Sequence, residues 1–303
     1  MTCSPSSPLR VICDWLDVTF SPADAPYPGI NRLLLANGFE VESSDRSTFV
    51  YRLGRGVVTF GPSRGSLRVS VSGAACAALR AASTWDGFLS ELASSPHRVT
   101  RLDAALDLPM DGADLVALMR DRYPSGQVNL RRKAVSTSTF LAVRPDGRET
   151  GTWYAGRRSR ARFTARVYDK AWEALEKRGE LLPPTARVEI TASGGDSGAT
   201  LRDAYDPGAI FWHVASPSLL DAPEGTPVWV PNQDLGWTAP PAEFDPAALL
   251  RRRVESMAML DALALVADDL GPNGRAYLLG LIKTKLESDP ASLVPGSSDA
   301  SAA

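Results

Sequence analysis

The stretch 157–173, RRSRARFTARVYDKAWE, constrains the fold more than any other part of the chain. Side chains of an extended strand alternate between its faces, so residues of one parity share a surface. The odd positions are Ala161, Phe163, Ala165 and Val167, an apolar set suited to a core. The even positions are Arg158, Arg160, Arg162, Thr164, Arg166, Tyr168 and Lys170. Such a strand belongs in a sheet, and it lines up one tyrosine with a row of cations. Arginine forks match phosphate oxygens. A cation beside a phenol favours the phenolate, the nucleophilic form, and holds the phosphate it attacks. Tyr168 is therefore the candidate nucleophile, with Lys170 beside it. The competing reading is a tyrosine that only packs at a sheet end.

Net charge argues at first against a polyanionic partner, since 33 basic residues face 35 acidic ones. The distribution reverses that. Residues 120–178 hold fifteen basic and six acidic side chains, a net of +9, against −11 for the rest. A split of this size points to a localised polyanion-binding surface, with a solvated basic face as the plainer alternative. Within it, Arg157, Arg158, Arg160, Arg162 and Arg166 are candidate phosphate contacts. Arg131, Arg132 and Lys133, in the expected loop 121–135, are candidates for contact with bases.

The rest of the chain alternates strand and helix signals. Residues 11–20, 48–53, 56–60, 66–72, 99–108, 135–143, 151–155, 160–168 and 186–191 read as strands. Residues 31–37, 74–82, 85–94, 112–121 and 172–178 read as helices. Runs of strands interspersed with helices predict an α+β fold, with a largely antiparallel central sheet flanked by helices. The expected catalytic domain spans 1–205. A proline-rich connector over 206–245, a helix pair over 246–287 opened by Asp245-Pro246, and a disordered tail over 288–303 complete the expectation. No stretch of eighteen apolar residues occurs and the start lacks a secretory pattern, so the chain is read as cytoplasmic.

Two further strands carry acids. In 101–107, RLDAALD, parity puts Arg101, Asp103 and Asp107 on one face. Four residues of strand separate the two aspartates by about 13 Å, so an ideal strand does not let both hold one ion. In 187–191, RVEIT, Arg187, Glu189 and Thr191 share a face. If these strands adjoin, Asp103 or Asp107 with Glu189 could make an oxygen-ligand site for Mg²⁺ or Mn²⁺. The alternative is a set of salt bridges such as Asp103–Arg187. The two histidines, His97 and His213, are far apart and form no paired metal site. Cys3, Cys13 and Cys76 form neither a disulfide framework nor a zinc spacing. No phosphate-binding glycine loop or serine elbow is present, which removes support for nucleotide hydrolysis and serine hydrolase chemistry.

The order of these motifs resembles a known family. The strand Asp14-Trp-Leu-Asp-Val-Thr-Phe20 is followed by Val71-Ser72-Gly73, then Arg101 to Asp107, Tyr154 to Arg158, Arg166-Val-Tyr-Asp-Lys-x-x-Glu173 and Arg187-Val-Glu189. Over roughly residues 11–192 this is similar to the replication initiation factors of filamentous phages and rolling-circle plasmids, whose relatives include relaxases of some integrative elements. The resemblance implies a metal-dependent endonuclease lacking a histidine pair. Tyr168 would be the nucleophile and Tyr154 its reserve; Asp103, Asp107 and Glu189 would be the acidic metal positions. At Gly156-Arg-Arg-Ser159 the chain departs from the family, which usually has a residue between the arginine and the serine; a small shift in phosphate contacts is expected. The expected partners are origin DNA, supercoiled or single-stranded, with host helicase and polymerase, and the C-terminal helices could mediate a homodimer. A conjugative relaxase and a catalytically idle DNA-binding regulator on the same scaffold are the rival readings.

Overall fold

The structure is a computed structural model that describes residues 9–44, 48–63, 65–131, 133–157, 161–194 and 197–231. The chain follows a similar plan twice. In the first pass β1 (Val11–Phe20) leads through α1 (Tyr27–Ala36) into a meander of β2 (Glu40–Ser44), β3 (Phe49–Leu53), β4 (Gly56–Ser63) and β5 (Ser66–Val71). Helices α2 (Gly73–Ala81) and α3 (Trp85–Ala93) follow. In the second, β6 (His97–Leu108) leads through α4 (Gly112–Arg122) into β7 (Gln127–Leu130), β8 (Lys133–Val143), β9 (Glu149–Ala155) and β10 (Phe163–Asp169). After it come α5 (Lys170–Arg178), β11 (Ala186–Ser193), α6 (Leu201–Tyr205) and α7 (Gly208–Ala215).

Among the described residues the strands form one eleven-stranded sheet in the order β2-β3-β4-β5-β1-β6-β11-β10-β9-β8-β7. Every neighbouring pair is antiparallel. The fold is thus α+β, with seven helices flanking the sheet among the described residues. Leu102 and Leu106 of β6, Val167 of β10 and Val188 and Ile190 of β11 join Leu115, Val116 and Met119 of α4 in one core cluster. Burying a leucine- or valine-sized side chain contributes about 1.5–3 kcal/mol, so this parity fixes the register. The opposite parity of the same strands carries the chemistry.

Local signals set the joints. Asp111 caps α4 by accepting from Ala113 N at 2.9 Å, and Asp169 caps α5 by accepting from Trp172 N at 3.0 Å. Side-chain oxygens at these positions satisfy amides that a helix start leaves without partners. Gly179 ends α5 in the left-handed region at φ +66°, which glycine adopts without a Cβ clash.

Four elements lie outside the sequence expectation. β2 and β7 are five and four residues long, too short for alternation to register. α6 is a single capped turn, Thr200 N donating to Asp203 Oδ2 at 2.8 Å. α7 falls in the stretch expected as a connector, where Phe211, Val214 and Trp229 are buried in the core cluster. The described part of that stretch, 206–231, therefore packs on the sheet. Its remainder, the helix pair at 246–287 and the tail at 288–303 lie outside the described residues. No helix among the described residues is long and apolar enough to cross a membrane.

Candidate active site

The polar parity of β6, β11, β10, β9 and β8 forms rungs across the sheet. One rung runs Asp107, Arg187, Tyr168, Thr152, Phe140; the next runs Ala105, Glu189, Arg166, Tyr154, Ser138. A third places Trp15 of β1 opposite Asp103, then Thr191 and Thr164. Tyr168 thus has Arg187 directly across on one side, and Arg166 follows on its own strand. The strands carrying Asp103, Asp107 and Glu189 do adjoin, as the metal-site expectation required.

Tyr168 is buried, at 5% exposure, with the Arg166 guanidinium carbon 4.9 Å and Lys170 Nζ 5.6 Å from its ring centroid. Lys170 is the first residue of α5 rather than a continuation of the strand, because Asp169 caps the helix there. It still lies beside the ring, and its ammonium also donates to Glu173 Oε2 at 2.7 Å. The sequence reading has the cations favouring the phenolate. In the structure burial outweighs Arg187 and Arg166, and the phenol is pushed well above its ordinary value. Tyr168 is held as the neutral phenol.

Glu189 sits at 1% exposure with Arg166 Nη2 donating to its Oε2 at 2.5 Å. Its Oε1 makes no hydrogen bond, and neither does Arg166 Nε. Burial, with Asp103 and Asp14 adding like charge, pushes the Glu189 carboxyl up to about 7 against the pull of Arg166. Asp103, also buried, takes a fork from Arg101, whose Nε donates at 2.9 Å, and Arg101 itself lies 4.4 Å over the Trp15 ring. The suggested Asp103–Arg187 bridge is not what forms. Register sets Asp107 opposite Arg187 and Asp103 opposite Thr191. Arg187 accordingly donates to Asp107 at 2.5 and 2.7 Å and pairs with Asp14 at 2.9 Å. These partners hold the Arg187 guanidinium above its ordinary value although burial works the other way.

The fit of this acidic set to a divalent ion can be judged from its donors. Among the described residues no group of three or more His, Cys, Asp or Glu side chains stands close enough to hold a metal ion. Mg²⁺, however, is commonly bound by one or two carboxylates completed by water and substrate phosphate. Glu189 has a buried oxygen without a hydrogen bond, and Asp103 and Asp14 are near enough to raise its proton affinity. Asp103 and Asp14 are each engaged by an arginine and Glu189 Oε2 by Arg166, so the Glu189 Oε1 is the oxygen of this set that such an ion could take.

The remaining expected contacts scatter. Arg187 is in the rung itself. Lys133, Arg157 and Arg162 are exposed. Arg131 turns away from the site face: its guanidinium lies 5.5 Å over Phe163 and 5.2 Å over Trp229. Arg132, Arg158 and Arg160 lie outside the described residues. Three participants escape a parity reading. Asp14 sits where the pairing of β1 with β6 shifts register between Cys13 and Trp15, so simple alternation misplaces it. Arg144 bridges Asp111 and Asp169, donating to Asp111 Oδ1 at 2.7 Å and to Asp169 Oδ2 at 3.0 Å, and no local motif announces it. Phe140 closes the nucleophile's rung at 68% exposure.

A scan against protein-family models and a search of the curated proteins found no match. Among solved structures, the rolling circle replication initiator protein from Geobacillus stearothermophilus has a similar fold, with a TM-score of 0.51 and 18% identity. The likeness covers 69% of this chain and 85% of that one. At that identity it is a likeness of fold.

Proposed function

We propose that the chain is a rolling-circle replication initiator that binds an origin and nicks one strand with Tyr168. The observation that carries this is the placement of one tyrosine between Arg166, Lys170 and Arg187, one rung from a buried carboxylate with a spare oxygen. Its similarity in fold to an initiator supports the reading. In the reaction, the Tyr168 oxygen gives up its proton and attacks the phosphorus in line. The bond from phosphorus to the 3′ oxygen breaks, leaving a 5′-phosphotyrosyl link and a 3′-OH that primes synthesis. The phosphoester energy is retained in the link, so rejoining by the reverse transfer stays open.

The chain's own groups have distinct parts. Arg166 and Arg187 offset the burial that keeps the phenol protonated, and with Lys170 they stabilise negative charge gathering on the phosphate. Asp107, engaged by both ends of the Arg187 fork, orients that arginine. Asp103 and Glu189 would hold a Mg²⁺ or Mn²⁺ ion, which polarises a phosphodiester and stabilises the departing oxygen when bound. Lys133, Arg157 and Arg162 would hold backbone phosphates outside the cleft.

A second reading has a specific observation behind it. The burial of Tyr168 and its raised proton affinity also suit a DNA-binding regulator that performs no chemistry. One experiment separates the two. Protein and its Tyr168→Phe variant are incubated with Mn²⁺ and supercoiled plasmid carrying the DNA that flanks the gene, then resolved on a denaturing gel. Nicked DNA linked to the parent but not to the variant is the expected result. Equal adducts from both would move the nucleophile to Tyr154. Specific retention of unnicked DNA would install the regulator.

A further inference from the structure

We propose that the open end of the nucleophile's rungs is a stacking subsite for one unpaired base of single-stranded DNA, built from Phe140 and Tyr154 beside Arg166. The proposal rests on the reading that this face meets DNA, and it is independent of whether Tyr168 reacts. Phe140 stands on β8 and is 68% exposed. Covering an exposed phenyl group contributes about 1.5–3 kcal/mol, which a stacked ring can recover. It has one aromatic neighbour on this face, Tyr154, edge-on at 5.6 Å and 88°.

The surroundings select the occupant. A hollow of about 310 Å³ is lined by Ser138, Phe140, Tyr154, Thr164, Arg166 and Thr191. Its lining offers aromatic faces, hydroxyl groups and one guanidinium, and it contains no acid. Arg166 Nη2 is engaged by Glu189 and Nε is buried, while the side chain as a whole is 34% exposed, so the Nη1 end of the guanidinium is left for a phosphate or a base edge. An aromatic face, hydroxyl donors and a spare guanidinium together match a nucleotide. A base reaches such a face only when it is unpaired, and base–aromatic stacking tolerates any sequence.

The backbone holds the platform rigidly. Gly151 of β9 lies at φ +143°, and a Cβ there would come within 2.0 Å of the Phe140 carbonyl oxygen. β8 is therefore pressed onto β9 at the position of the ring. Two strand spacings, about 10 Å, separate Phe140 from Tyr168 along the rung, and Thr152 stands between them. A second hollow of about 280 Å³ touches Phe140, Tyr154, Arg166 and Tyr168, so it runs without a break from the platform to the phenol. The base held here would be a close neighbour of the phosphate presented to Tyr168, which would splay the strand at the nick.

The test uses full-length Tyr168→Phe protein, so that no covalent product complicates binding. Two fluorescent probes of about a dozen nucleotides are compared by anisotropy: an oligothymidylate, and an oligomer of abasic sites with the same phosphates. The expected result is a preference of about tenfold or more for the oligothymidylate. Phe140→Ala and Tyr154→Ala should each reduce that preference severalfold and leave the abasic affinity unchanged, which also shows that the variants fold. Phe140→Trp should retain it. Equal binding of oligothymidylate by Phe140→Ala and its parent overturns the proposal, as does a parent that binds both probes alike. The nicking reading fails in a different way, by a missing adduct from wild-type protein whose base preference persists.

Discussion

Arg166 and Glu189 lock each other in place across β10 and β11. Glu189 is 1% exposed, and Arg166 supplies the one hydrogen bond its carboxylate makes. Removing one partner of a buried pair leaves the other charge uncompensated, at a cost of about 3–5 kcal/mol. Arg166→Met keeps most of the apolar stem and loses the guanidinium, so it isolates that cost. Urea unfolding at about pH 9, above the value near 7 to which burial raises Glu189, should show a loss of about 3 kcal/mol; a loss under 1 kcal/mol would mean that Arg166 does not compensate a buried charge. Glu173 behaves in the opposite sense. Burial alone would raise its carboxyl, yet the hydrogen bonds and charges of Lys170 and Lys177 hold it down at about 2. A depressed carboxylate stabilises the fold above its unfolded value, near 4.5, and that contribution fades as pH falls toward 2. Glu173→Gln should therefore destabilise at pH 7 by about 2 kcal/mol. The gap to wild type should narrow steadily below pH 4.5, which paired urea titrations at pH 7 and 3.5 can measure. A gap independent of pH would assign the loss to packing instead.

At the level of elements, the nucleophile strand is fixed where it turns into a helix. Asp169 follows Tyr168, caps α5 and accepts from Thr150 Oγ1 at 2.7 Å, while Arg144 bridges it to Asp111, the cap of α4. One arginine at the end of β8 thus ties two helix starts together. The start of α4 is also pressed against this point: a Cβ on Gly112 would come within 2.2 Å of the Asp169 Cα. Because the obstacle is backbone, it cannot swing aside as a side chain would. Gly112→Ala should cost about 1–3 kcal/mol through overpacking, and it should lower nicking more than Gly126→Ala, whose turn has open space but strained φ. Equal activity losses in both variants would detach this joint from the site. Little of the joint was legible in the sequence, since Arg144 is 33 residues from Asp111 and 25 from Asp169, in a pattern no spacing rule covers. The strands of the site were legible for a physical reason. In 161–168 and 187–191 a buried face and a polar face alternate at the strand period, so Tyr168, Arg166, Arg187 and Glu189 could be placed on one surface. That reading failed at Lys170, where a cap converts strand to helix, and it did not extend to Asp14, which sits beside the β1 irregularity. It placed the cationic neighbours of Tyr168 and left out its burial, because burial is a tertiary property that alternation does not report.

For the whole molecule, the question is how much of the +9 charge in 120–178 is available to a nucleic acid. Much of it is spent internally. Arg120 pairs with Glu149, Arg144 with Asp111 and Asp169, Arg148 with Asp111 and Asp114, Lys170 and Lys177 with Glu173, and Arg178 with Glu180. Arg131 is occupied over Phe163 and Trp229, and Arg122 lies over the Tyr123 ring. Among the described residues Lys133, Arg157 and Arg162 are left exposed, with the one-third-exposed guanidinium of Arg166 beside them. Arg132, Arg158 and Arg160, outside the described residues, bring the available set to at most about seven of the fifteen basic side chains. Each phosphate neutralised on a single strand contributes about −0.7 to the slope of log affinity against log salt. The full fifteen would give a slope near −10, whereas seven give one no steeper than about −5. Anisotropy with an oligothymidylate across a potassium chloride series measures this directly. A slope between about −2 and −5 would mean that the internal pairs persist on DNA, and that the site is presented by a rigid sheet. A slope near −10 would mean that the carboxylates let go of their arginines when phosphate arrives. Asp111, Asp169 and Glu173 would then be released at the moment the substrate binds, and the joint beside Tyr168 would be a closed state that DNA opens.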